Sequence, residues 1–137
     1  MTERTIYITQ FDKARLEELI AVAEEFGGGR DDLEALADEL DQAEIVTSKE
    51  IGPDVVTMNA KVVLRDLDSD TTRTLTLVFP RDADAGAGAI SVLAPIGTAI
   101  LGYAKGDEVK WRVPGGVRRI RIEEILYQPE AAGDYHL

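Results

Sequence analysis

The sequence predicts an α+β chain: a short N-terminal antiparallel helical hairpin over residues 1–51, then an antiparallel β-sheet domain with one short helix over 52–137. Apolar residues recur every three or four positions up to about residue 46, with a single break at Gly27-Gly28-Gly29. Beyond Gly52-Pro53 the period drops towards two. Charge divides at the same place: residues 1–49 carry 13 acidic and 5 basic side chains, residues 50–137 carry 13 and 10.

Thr5-Ile6-Tyr7-Ile8 is β-branched and aromatic, and reads as a short strand. Thr9, with Asp12 three positions on, is suited to cap the helix that follows at about 11–25. Leu16, Leu19, Ile20 and Ala23 form its apolar stripe. The three glycines stop it, and Asp31 or Asp32 starts the next helix, where a carboxylate faces the positive end of the helix dipole. Leu33, Leu36, Ala37, Leu40 and Ala43 carry that helix to about Val46. Two striped helices joined by a short loop imply an antiparallel pair. At ~1.5 Å per residue its arms of about 14 residues reach only ~20 Å.

Strands are expected at about 57–67 and 73–80, joined through Asp68-Ser69-Asp70. In the second, Leu75, Leu77 and Phe79 alternate with Thr74, Thr76 and Val78. A third strand spans 90–93 after a flexible loop at 82–88. Pro95 opens a short helix whose inner face is Ile96, Ala99, Ile100 and Leu101, and Gly102 ends it. Val109 to Val113 pairs with a long last strand, Val117 to Tyr127, across Pro114-Gly115-Gly116. There Arg119 and Arg121 alternate with Ile120 and Ile122, and the slip at Glu123-Glu124 marks a β-bulge.

Net charge −11 disfavours direct contact with bulk nucleic acid and suits a basic patch on a protein partner. There is no cysteine, hence no disulfide framework or thiolate metal site. The start lacks the apolar stretch of a signal peptide, and no apolar run approaches the ~18 residues that span a bilayer, so a soluble cytoplasmic protein is expected.

Candidate chemistry is sparse. The one histidine, His136, sits beside the C-terminus, where a solvated side chain is the plain reading. Asp66, Asp68 and Asp70 mimic the start of a calcium loop, but Thr71 and Leu77 stand where glycine and glutamate are required. Gly86-Ala87-Gly88 is a faint likeness of a phosphate loop, but Ser91 stands where the third glycine is required, and a flexible loop is the plain reading. No Gly-Lys-Ser/Thr occurs. Trp111 reads as core. Arg118, Arg119 and Arg121 form either a solvated sheet face or a partner-facing patch. Asp31 and Asp32 are helix caps or, at the tip of the helical pair, carboxylates available to a metal held by another protein. No cofactor, resident metal or catalytic residue is expected.

Several segments resemble the Rnk family, the regulators of nucleoside diphosphate kinase. They are Asp54-Val55-Val56-Thr57-Met58-Asn59, the run from Leu93 to Gly102, Gly106-Asp107, Pro114-Gly115-Gly116, and the tail Tyr127 to Tyr135. That family is similar in turn to the C-terminal domain of Gre elongation factors. The resemblance implies an FKBP-like sheet preceded by a short coiled-coil hairpin, and binding to RNA polymerase at the rim of its secondary channel. Where Gre proteins open the docking helix with Ser-Pro, this chain has Ala94-Pro95, followed by Ile96. Ala94, Pro95 and Ile96, with Arg119 and Arg121, are thus the expected polymerase contacts, and Asp31 and Asp32 the expected tip. Gre hairpins are long enough for their acidic tips to reach the polymerase active centre, and this one has about half the helix needed.

The resulting expectation is a non-enzymatic, monomeric regulator that docks on polymerase, competes with Gre factors without stimulating cleavage, and affects nucleoside diphosphate kinase levels indirectly. Two rivals remain. A peptidyl-prolyl isomerase would follow from the sheet, but its sites are aromatic-lined and this chain has 6% aromatics. A polymerase-independent interaction module would use the amphipathic helices alone.

Overall fold

The computed structural model describes residues 5–25, 31–113, 115–135 and 137. The expected glycine turn at 27–29, Pro114 and His136 lie outside the described residues, as do the side chains of Asp31, Asp32 and Trp111.

Strand β1 (Tyr7–Thr9) runs directly into helix α1 (Gln10–Glu25), and helix α2 (Asp31–Gln42) is followed by strand β2 (Glu44–Val46). The Thr9 Oγ1 accepts from the Asp12 amide at 3.0 Å, which is the expected cap. Helix α2 ends four residues short of the expected Val46. Glu44, Ile45 and Val46 instead pair in parallel with Tyr7, Ile8 and Thr9. Ile45 and Val46 are β-branched, and a tertiary pairing with β1 outweighs a weakening helical stripe.

The main sheet has the order β5-β4-β3-β7-β6, with β3 at Lys61–Asp66, β4 at Thr71–Val78, β5 at Ala89–Ser91, β6 at Glu108–Val113 and β7 at Gly116–Tyr127. It is antiparallel except at one edge, where β5 runs parallel to β4. The loop before β5 is two single 3-10 turns, Pro80–Asp82 and Ala85–Ala87. The expected bulge is present: the register of β3 against β7 skips Glu123, and skips Leu126 as well. Helix α3 (Pro95–Ile100) lies against β6 and α2, and a last turn of helix, α4 (Pro129–Ala132), closes the chain.

One core serves both parts of the molecule. Ile6, Ile8, Leu16, Leu36 and Leu40 from the N-terminal third belong to the same buried cluster as Val62, Leu64, Leu75, Leu77, Ile120 and Ile122 from the sheet. Among the described residues, no helix is long and apolar enough to cross a membrane.

Candidate docking surface

Helix α3 is built to hold its first residues rigidly at the surface. Pro95 at its first position has the φ a helix needs and no amide left to satisfy. It is exposed, whereas Ile96, Thr98 and Ile100 behind it are buried. Ala94 is in extended conformation and offers no side-chain cap. The entry turn is held from below: Thr98 Oγ1 donates to the Val92 carbonyl at 2.6 Å and the Ala94 amide to the Ser91 carbonyl at 3.0 Å. At the far end Gly102 has φ +84° and lies against Ile6, where an added Cβ would come within 2.9 Å of the Ile6 Cβ. Its carbonyl accepts from Tyr7 and its amide donates to Val56. The helix is therefore clamped between β1, the 55–56 segment and the end of β5.

The five expected contact residues do not share a surface. Ala94 and Pro95 are accessible at the α3 start, but Ile96 is only 5% exposed and packs inward. Arg119 and Arg121 alternate along β7 with Ile120 and Ile122, which sit in the same core as Ile96 and Ile100. Strand alternation puts the two arginines on the opposite face of the sheet from α3. One flat partner surface cannot touch both sets.

The arginines also have partners of their own. Arg118 Nε donates to Asp66 at 2.6 Å, and the Arg119 amide donates to Asp68 at 3.0 Å. Arg65 bonds both Glu123 and Asp70, and Arg121 bonds Glu123. The turn that resembled a calcium loop thus pairs with Arg118 and, at 3.7 Å, with Arg119, while Arg121 is paired with Glu123. Asp66 also accepts from the amides of Asp68 and Ser69. The hydrogen bond from Arg118 holds the Asp66 carboxyl below the usual range, and that from Arg65 does the same for Glu123. Among the described residues, no three His, Cys, Asp or Glu side chains converge as a metal site would require.

Two polar constellations escaped the sequence reading. The first is centred on Asp12, which is 1% exposed. Its carboxylate accepts from the Met58 amide at 3.1 Å and from Arg15 at 2.5 Å. Burial pushes its pKa up, against the opposing pull of Arg15. Arg15 also donates to the main-chain oxygen of Leu137, as does the Asn59 side chain. The second is the tail. Gln128 donates to the carbonyls of Gly52 and Val55 and accepts from the Ala131 amide, so its amide is fully used. Buried Glu130 accepts from Thr57 Oγ1 at 2.7 Å. Tyr127 donates to Asp134, whose carboxylate pushes the phenol up to about 12. The tail thereby latches the 52–58 segment against the sheet. Resemblance had singled out both Met58-Asn59 and the tail, but no periodicity points to their pairing.

A family model described as "Transcription elongation factor, GreA/GreB, C-term" matches residues 41–127, and one described as "Rnk N-terminus" matches residues 4–46. The chain is 40% identical to the "Regulator of nucleoside diphosphate kinase" of Escherichia coli K12, over 100% of both chains. It is 31% identical to "Transcription elongation factor GreA" of Desulfotalea psychrophila, over 91% of this chain and 88% of that one. Among solved structures, a "Prokaryotic transcription elongation factor GreA/GreB" from Nitrosomonas europaea superposes with a TM-score of 0.74 at 43% identity, covering 91% of this chain and all of that one.

Proposed function

The chain belongs to the Rnk family and carries a GreA/GreB-type C-terminal domain, and from that premise we propose that it is a transcription regulator that docks on RNA polymerase beside the secondary channel. The match of residues 41–127 to the GreA/GreB C-terminal family supports this most directly. Pro95, exposed at the start of a helix clamped at both ends, and the half-buried Ala94 before it supply the contact. Ile96 contributes by fixing that helix to the core, and Arg119 and Arg121, on the other face, are left to the sheet's own ion pairs.

Reach decides the outcome of docking. Helix α1 has 16 residues and α2 has 12, hence lengths of ~24 Å and ~18 Å. A carboxylate must come within about 2–2.6 Å of a metal to ligate it. Helices this short bring Asp31 and Asp32 to the channel mouth and leave the active-centre metal beyond them. The protein then occupies the channel without stimulating transcript cleavage and competes with Gre factors that do. Any effect on nucleoside diphosphate kinase levels is transcriptional and indirect.

Co-sedimentation of the purified chain with core polymerase tests the docking. Binding at micromolar concentration is expected, weakened at least about tenfold (~1.4 kcal/mol) by Pro95→Asp with the fold retained. Absence of binding, or an unchanged affinity in the variant, refutes the contact. Cleavage of a stalled transcript by this chain alone refutes the argument from reach.

A further inference from the structure

We propose that Ser91 is a positioning residue for polymerase docking: its hydroxyl orders the turn Val92-Leu93-Ala94 and so presents Pro95 in a fixed place. The role presupposes docking at the start of α3.

Only three residues join strand β5, which ends at Ser91, to helix α3, which begins at Pro95. Each of their amides has a partner. The Val92 amide donates to the Val78 carbonyl of β4 at 2.8 Å. The other two both go to Ser91: the Leu93 amide to its Oγ at 3.0 Å, and the Ala94 amide to its carbonyl at 3.0 Å. A helix start is ordinarily held by a side-chain cap. Here the capping position is Ala94, whose side chain makes no such bond, and Pro95 has no amide. The turn therefore takes its order from Ser91, at the end of the preceding strand.

Ser91 is itself well anchored. It pairs with Val78 in the ladder between β5 and β4. Its carbonyl lies so close beneath α3 that a Cβ at Gly97 would meet the oxygen at 2.3 Å. Val92 is fully buried, Leu93 and Ala94 are half-buried and Pro95 is exposed. The Ser91 hydroxyl thus ties a buried strand end to the residues a partner touches. Removing it leaves the half-buried Leu93 amide without that acceptor, while the main-chain bond to Ala94 survives. A partner docking on Pro95 must then order a looser turn, and the ordering is subtracted from its affinity.

The test compares Ser91→Ala, Ser91→Thr and Ser91→Val in the full chain. Threonine keeps the hydroxyl, and valine has the same branched shape without it. Co-sedimentation with core polymerase, at a temperature where every variant is folded, reads affinity. Hydrogen exchange of the Leu93 amide in the free chain reads the turn without polymerase. One hydrogen bond of ~1 kcal/mol corresponds to about fivefold. Ser91→Ala and Ser91→Val should therefore bind about fivefold more weakly than the parent and exchange Leu93 about fivefold faster. Ser91→Thr should match the parent in both. A lowered Tm with unchanged affinity of the folded chain would mark a merely structural hydroxyl and overturn the proposal. So would Ser91→Val binding as tightly as Ser91→Thr, or Leu93 exchanging at the parent rate in Ser91→Ala. Parent binding that Pro95→Asp weakens and Ser91→Ala does not refutes the role of Ser91 alone; a parent that does not bind refutes the docking and this role together.

Discussion

Gly97→Ala pits helix propensity against packing, and the structure decides the sign. In a helix interior alanine is favoured over glycine by ~1 kcal/mol. At Gly97, in α3, an added Cβ would lie 2.3 Å from the Ser91 carbonyl oxygen, 3.0 Å from Val92 Cα and 3.1 Å from the Ser91 carbonyl carbon. Ordinary contact begins at 3.4 Å, so α3 and the end of β5 must separate by about 1 Å. Overpacking of this kind costs ~1–3 kcal/mol. The separation also strains the bonds from Thr98 Oγ1 to Val92 and from the Ala94 amide to Ser91, each worth ~1 kcal/mol. With the propensity gain subtracted, a net loss of about 2–3 kcal/mol is expected. For a chain of this size that is a fall of about 8 °C in Tm. Urea denaturation followed by circular dichroism reads it directly, with an unchanged slope. Gly86→Ala is the control: its Cβ would meet nothing closer than 3.5 Å and its φ is ordinary, so it should lie within ~0.5 kcal/mol of the parent. A Gly97→Ala protein as stable as the parent would refute this account of α3.

Three further outcomes rest on the same contacts. Gln128→Leu strands the carbonyls of Gly52 and Val55 and the Ala131 amide, and should cost about 3 kcal/mol in urea denaturation; a loss below ~1 kcal/mol would mean the tail is no latch. Leu36→Ala empties a fully buried position in the shared core and should cost about 3 kcal/mol. Unfolding should stay a single transition by both tryptophan fluorescence and circular dichroism, and two separated transitions would contradict the single core. On acidification, Asp66 and Glu123 act in one direction, because their carboxyls are held below the ordinary 3.8 and 4.5. Their contribution is complete above those values and is lost as pH falls through the lowered ones. Asp12, raised above 3.8 by burial, acts oppositely and disfavours folding as pH rises past 3.8. The urea midpoint of the parent should therefore fall more steeply below about pH 4 than that of Asp66→Asn; parallel acid limbs would show that the Arg118 pair contributes nothing.

Local pattern was enough for much of the fold. The Thr9 cap, the stripes of α1 and α2, the alternation of Leu75 with Thr76 and of Arg121 with Ile122, Pro95 at the start of α3 and the slip at Glu123 each involve residues a few positions apart. Each is set by side-chain spacing on one element or by the backbone preference of one residue. The resemblance carried by the Met58-Asn59 and tail segments identified the family that the comparisons establish.

Only tertiary contact decided the rest. Helix α2 stops at Gln42 because Glu44–Val46 finds β1, 37 residues earlier. Asp66, Asp68 and Asp70 are neutralised by the sheet's arginines, about 50 residues away for Arg118 and Arg119. Met58 reaches Asp12 across 46 positions, and Gln128 reaches Gly52 across 76. Ala94 and Pro95 share one side of the molecule, while Arg119 and Arg121 look the other way. Hydrophobic burial leaves a period in the chain because every turn or second residue must face the same core. A hydrogen bond or ion pair between distant residues needs only one donor and one acceptor that the fold brings within 3 Å, and a single pair has no period to read.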